Sequence, residues 1–162
     1  MTVVTVTLPA LEFAPLIVAA QEPELFWVAN HTHVVQPVRG GWPTVRMLIG
    51  SIDGDQWPWT RIVVDTDDVY RWVQVLGTPE SMTVEIGGGD DAFRIGHARA
   101  PRGAPVVLPR ECQWWVPVVW EHQTFIADKA ILITQKYLAN GRLSRHFDSE
   151  FITSTRNRNR GN

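Results

Sequence analysis

The stretch DTDDVYRWVQVLGTP, Asp65–Pro79, decides how the chain is read, because it fits a helix from cap to stop. Asp65 or Thr66 can accept hydrogen bonds from first-turn amides, and Asp67 and Asp68 complement the positive end of a helix dipole. Val69, Trp72, Val73 and Leu76 fall at i, i+3, i+4 and i+7, which turns one apolar face toward a core. Gly77 can take the left-handed stop conformation and Pro79 blocks continuation. The spacing predicts a helix over Asp67–Leu76.

Working outward, SMTVEIGGGDDAFRIGHARA (81–100) reads as strand, glycine turn and strand, with Met82, Val84 and Ile86 alternating against Thr83 and Glu85. Its GGGDD lacks the Lys, the glycine spacing and the following helix of a phosphate loop. Upstream, TVRMLIGSIDGDQWPWTRIVVD (44–65) reads as a hairpin: Val45, Met47 and Ile49 alternate, Asp53–Asp55 turn, and WTRIVVD returns. Downstream, Pro101, Pro105, Pro109 and Pro117 exclude a central helix from 100–120 and leave short strand pieces near Val106–Leu108 and Trp114–Trp120. In FIADKAILITQKYLANGRLSRHF (125–147), Ile126, Ala127, Ala130, Ile131, Thr134 and Leu138 repeat at helical spacing, Asn140-Gly141 stops the helix, and RLSRHF returns as a strand.

Thr2–Leu8 alternates and is β-branched, so it predicts a strand; between Ala10 and Gln36 the signal is mixed, PLIVAAQ fitting a short helix or a strand and LFWVANHTHVV reading more as extended chain. The last residues, STRNRNRGN, are basic and carry no apolar side chain, which predicts a disordered tail over 153–162. With 162 residues, 44% hydrophobic and 20% charged, one globular domain over 1–152 is expected, its first 60 residues supplying N-terminal strands and the hairpin. The expected class is α+β: a mostly antiparallel sheet with two main helices, Asp67–Leu76 and Ile126–Ala139, packed on it. The start lacks the basic residues of a signal peptide and the acids and prolines of 9–24 interrupt any spanning run, which predicts a cytoplasmic chain with no membrane partner.

Charge is unevenly distributed. Residues 51–91 hold two Arg against nine acids, a net −7, whereas 92–162 hold eleven Lys and Arg against five acids, a net +6. Turn and cap chemistry accounts for acids in such positions, and a negative face toward a basic partner is the functional alternative. Chemistry-bearing patterns are sparse. His31 and His33 share one side of an extended segment, a metal-ligand spacing whose remaining ligands would have to come from His97, Glu121 or His122. Adjacent Glu121 and His122 point apart on a strand, and Asp53 with Asp55 lacks the remaining oxygen ligands of a calcium loop. The lone Cys112 has no nucleophile signature. No catalytic residue, metal or cofactor is therefore expected, and the scattered basic residues give no nucleic-acid footprint. Eight tryptophans could make a stacking platform, so a Trp-rich carbohydrate or small-ligand module is the alternative reading.

VVDTDDVYRWVQVLGTPESMTVEIGGGDDAFRIG (63–96) and the 125–147 stretch together resemble the first-numbered immunity-protein family of bacterial polymorphic toxin systems. Ala127, Ala130, Tyr137, Leu138 and Gly141 match the family's closing helix, with Phe147 where Trp is common. The resemblance implies a non-enzymatic protein that binds a cognate toxin, often a nucleic-acid deaminase, and blocks its active site. Such a toxin needs a positive groove, so the acidic block would supply the contact: Asp53, Asp55, Glu80, Asp90 and Asp91, with Trp57 and Trp59 as apolar anchors.

Overall fold

The computed structural model describes residues 25–28, 35–110, 112–113 and 118–154. In chain order these form β1 (Leu25–Val28), β2 (Val35–Pro37), α1 (Trp42–Gly50), β3 (Trp59–Asp65), β4 (Tyr70–Thr78), β5 (Ser81–Gly88), β6 (Asp91–His97), β7 (Pro105–Val106), β8 (Val119–Trp120), a single 3₁₀ turn (Glu121–Gln123), α2 (Ala127–Asn140) and β9 (Phe147–Ser154). Among the described residues the main sheet has the order β2-β1-β3-β4-β5-β6-β9 and is antiparallel throughout. Both helices lie on one face, α1 against β3 and α2 against β4 and β5, and they pack on each other. The α+β class expected from sequence holds, but one of its two helices is elsewhere.

Residues 70–78 are a strand, not a helix. β4 sits mid-sheet with both faces covered: Val73 and Val75 enter the helix-side core, while Trp72 and Leu76 enter clusters on the other face. Burial on two sides erases the alternation that marks a strand, and a short apolar run then satisfies helical spacing by coincidence. The β-branched and aromatic content of VYRWVQV favours the pleated state. The predicted cap residues make the β3–β4 turn instead, where Thr66 and Val69 exchange backbone hydrogen bonds of 2.9 and 3.3 Å and the Thr66 hydroxyl also accepts from the Val69 N–H at 3.1 Å. Gly77 stops nothing. At φ +132° its missing side chain lets β4 pass the Ser81 carbonyl, which any β-carbon there would strike.

The second helix is α1, where the sequence predicts a strand. Val45, Leu48 and Ile49 are buried at i, i+3 and i+4, Pro43 occupies the first turn, and Met47 is 60% exposed. The apparent alternation of Val45, Met47 and Ile49 is thus a subset of a helical face. β3, β5, β6 and the Gly141 stop, with φ +67°, agree with expectation, and α2 begins and ends within one residue of it. The return strand is displaced: Arg142–His146 is loop and β9 runs from Phe147 to Ser154, two residues past the predicted domain boundary. Among the described residues the Pro-rich region contributes β7 and β8, paired with each other, and 114–117 of the predicted strand piece lie outside them. The predicted strand at Thr2–Leu8 and the rest of the basic tail lie outside the described residues.

The excursion between β6 and α2 covers the sheet face opposite the helices. Leu108, Cys112 and Val119 meet Trp59 and Leu76 in a second small core. Burial on both faces is what a chain of this size needs to stabilise a sheet of this width.

Candidate functional site

The sequence-predicted contact residues fall into two groups at opposite ends of the sheet. Asp53 and Asp55 precede β3, and Glu80 lies in the β4–β5 turn; Gly54 packs close to Thr78, so these belong together. Asp90 and Asp91 sit at the β5–β6 turn. Six strand steps separate Trp59 from Asp65, which sets the two ends about 20 Å apart.

At the first end Asp55 and Glu80 are exposed, whereas Asp53, Trp57 and Trp59 serve the fold. The Asp53 carboxylate accepts backbone N–H bonds from Asp55 at 2.9 Å and Trp57 at 2.7 Å, and these hold its pKa below the usual carboxylate value. Trp57 is half-buried against the helix-side core, 6.2 Å from the Trp27 ring, with its indole N–H buried and unbonded. Trp59 is only 8% exposed inside the second core, so it is a packing residue with little surface to offer a partner.

At the other end the turns of two adjacent hairpins converge, since β4 pairs with β5. Asp65, Asp67, Asp68, Asp90 and Asp91 are all exposed there, and Tyr70 stands beside them 47% exposed. Asp65, Asp67 and Asp68 belong to the acidic block that the sequence shows, but a helix-cap reading assigns them to local structure. The signal that could have united them is the hairpin: two turns joined by β4 and β5 bring both acid pairs to one edge.

The sheet face under the Pro-rich excursion carries a polar row, buried at Gln74, Glu85 and Arg94 and open to solvent at Glu150. Arg61, Gln74, Glu85, Arg94 and Glu150 occupy directly paired positions on five adjacent strands. Arg61 donates to Gln74 Oε1 at 2.8 and 3.0 Å and lies 4.6 Å above the Trp72 ring. Arg94 donates to Glu85 Oε1 at 3.0 and 3.3 Å, and Gln74 Nε2 reaches Glu85 Oε2 at 3.4 Å. Arg94 Nη1 also donates to the Val118 carbonyl at 2.6 Å, while Gln123 Nε2 donates to Glu150 Oε2 at 2.6 Å. Burial pushes the Glu85 carboxyl above its ordinary value, against the pull of Arg94. A buried acid with a raised pKa is a candidate catalytic group. Here both oxygens are engaged, so the row acts as a clamp tying residues 118–123 to the sheet.

The remaining candidates separate. His97 lies on the helix side, 4.6 Å from the Phe125 ring, whereas His122 lies on the other face against Gly96 with Nδ1 3.0 Å from the Arg102 carbonyl. Glu121 and His122 are in the 3₁₀ turn, not on a strand. His31 and His33 lie outside the described residues, and among the described residues no three His, Cys, Asp or Glu are grouped to hold a metal ion. Cys112 is buried. Of the described tryptophans, Trp59 and Trp72 are buried, Trp27, Trp42 and Trp57 pack on the core, and Arg102 stacks 4.0 Å over Trp120. Among the described residues they present no exposed row of indoles for a sugar; Trp114 and Trp115 lie outside them.

No family model matches the chain, and no curated protein or solved structure matches it either. Among the described residues no helix is long and apolar enough to cross a membrane.

Proposed function

We propose that this protein is a non-enzymatic cytoplasmic immunity protein that binds a cognate bacterial toxin and blocks its active site. The observation that carries the reading is the acidic end of the sheet, with five exposed carboxylates and a half-exposed tyrosine on two adjacent hairpin turns. An enzyme that acts on nucleic acid attracts phosphates with a positive groove, and a fixed array of carboxylates competes for that groove while steering association. Tyr70 supplies the aromatic anchor that Trp59, being in the core, does not. The resemblance of 63–96 and 125–147 to an immunity-protein family points to the same class of partner.

The test is binding and protection against the toxin domain encoded beside the gene. Reversing Asp67, Asp68, Asp90 and Asp91 to Lys should slow association at least tenfold at low salt and abolish protection on co-expression, with the melting curve retained. Reversing Asp55 and Glu80, at the opposite end, should leave both unchanged. Equal binding by the two variants, or a locus without a toxin reading frame, would overturn the reading.

A further inference from the structure

A cleft of about 160 Å³ opens between α2 and the loop that returns to β9, with Lys129, Leu132 and Lys136 on the helix and Arg142, Leu143 and Phe147 opposite. Its construction follows from helix spacing. Lys129, Leu132, Ile133 and Lys136 are i, i+3, i+4 and i+7, so they form one stripe along two turns, and the two lysines stand about 10 Å apart along the axis. Gly141 turns the chain back, and Arg142–Phe147 becomes the facing wall.

Three features distinguish this cleft from a solvated helix flank. No carboxylate lines it, although the protein as a whole is acidic at −2. Among the described residues no ion pair or side-chain hydrogen bond engages Lys129, Lys136 or Arg142, whereas helix-surface lysines are commonly paired with acids three or four positions away. The floor is apolar and packed: Ile133 is in the core, Leu143 and Phe147 pack on it, and the His97 ring lies 4.6 Å from that of Phe125 and 6.2 Å from that of Phe147. Three cations around an apolar floor, with no carboxylate among the lining residues, favour an anion.

We infer that the cleft between α2 and the Arg142–Phe147 return is a binding site for a small organic oxyanion, an apolar or aromatic body bearing a phosphate or carboxylate. Leu132, Leu143, Phe147 and the His97 ring would take the body, and Lys129, Lys136 and Arg142 the head, Arg142 with a fork suited to either oxyanion. The volume lies below that of sites for drug-sized ligands, which begin near about 300 Å³, so a single ring fits and a dinucleotide does not. The site is separate from the acidic end and independent of the toxin-binding reading.

Calorimetric titration with phenyl phosphate, benzoate, inorganic phosphate and phenol tests it, with chemical-shift mapping in parallel. One or both aromatic anions should bind saturably, at least tenfold tighter than phenol and than inorganic phosphate, with shifts at Leu132, Leu143 and Phe147. The tighter of phenyl phosphate and benzoate identifies the head group. Lys129→Gln with Lys136→Gln, both exposed positions, should weaken binding at least tenfold without lowering the melting temperature. Absence of saturable binding by either aromatic anion, or affinity unchanged in the double variant, would overturn the assignment.

Discussion

Replacing Arg94 by Met removes the cation beside Glu85 in the polar row while preserving much of its length. Arg94 and Glu85 are each 6% exposed, so the variant strands a carboxylate that has lost two donors and its charge partner. The Val118 carbonyl also loses its 2.6 Å bond, but Val118 is exposed and water can replace the donor. The cost is therefore set by Glu85, and breaking one side of a buried pair costs about 3–5 kcal/mol. That is a large share of the ~5–15 kcal/mol that holds a domain together. The loss should depend on pH with a definite sign. Burial already raises the Glu85 pKa in the folded state, and Arg94 is the main influence lowering it, so the variant raises it further above the unfolded value. A raised carboxyl contributes its stability below the unfolded pKa and loses it as pH rises through the folded pKa. Urea unfolding from pH 4.5 to pH 8 should show Arg94→Met approaching the parent in acid and falling away toward alkali, by up to about 1.4 kcal/mol per unit. The double variant Glu85→Leu, Arg94→Met should recover most of the loss at pH 8, because an apolar pair needs no counter-charge. A loss below about 1 kcal/mol at pH 8, or one that does not vary with pH, would refute the view of the row as a buried clamp.

Three further substitutions test elements that the sequence misstates. Leu48→Ala should cost about 2–5 kcal/mol while Met47→Lys is neutral, as a helical face requires; a strand alternating through Met47 would give the reverse in a thermal melt. Gly77→Ala should destabilise by about 3 kcal/mol or more in urea, because the new methyl meets the Ser81 carbonyl at a positive φ, whereas a helix-stop glycine would cost only about 1 kcal/mol.

What could be seen in the sequence follows physical lines. β5 and β6 alternate plainly because Met82, Val84 and Ile86 face the helices while Thr83, Glu85 and Arg94 face a polar layer. α2 is legible because its outer face is solvated and Gly141 ends it. β4 is not, since its polar Gln74 is drawn into interior contacts and its neighbours bury both sides. The acidic end emerges only once the hairpins are known. The cationic cleft depends on the return of Arg142–Phe147 along α2, a tertiary event that no local pattern encodes.

The pairing of β9 with β6 has a consequence for how the chain matures. From β3 to β6 each strand pairs with the one that follows it, so this part of the sheet can zip up hairpin by hairpin as it leaves the ribosome. The outer edge of β6 must then wait some fifty residues for its cover, with its amides and carbonyls open to any passing strand. Premature termination ahead of Phe147 should therefore yield a sticky, self-pairing product instead of a slightly smaller folded one.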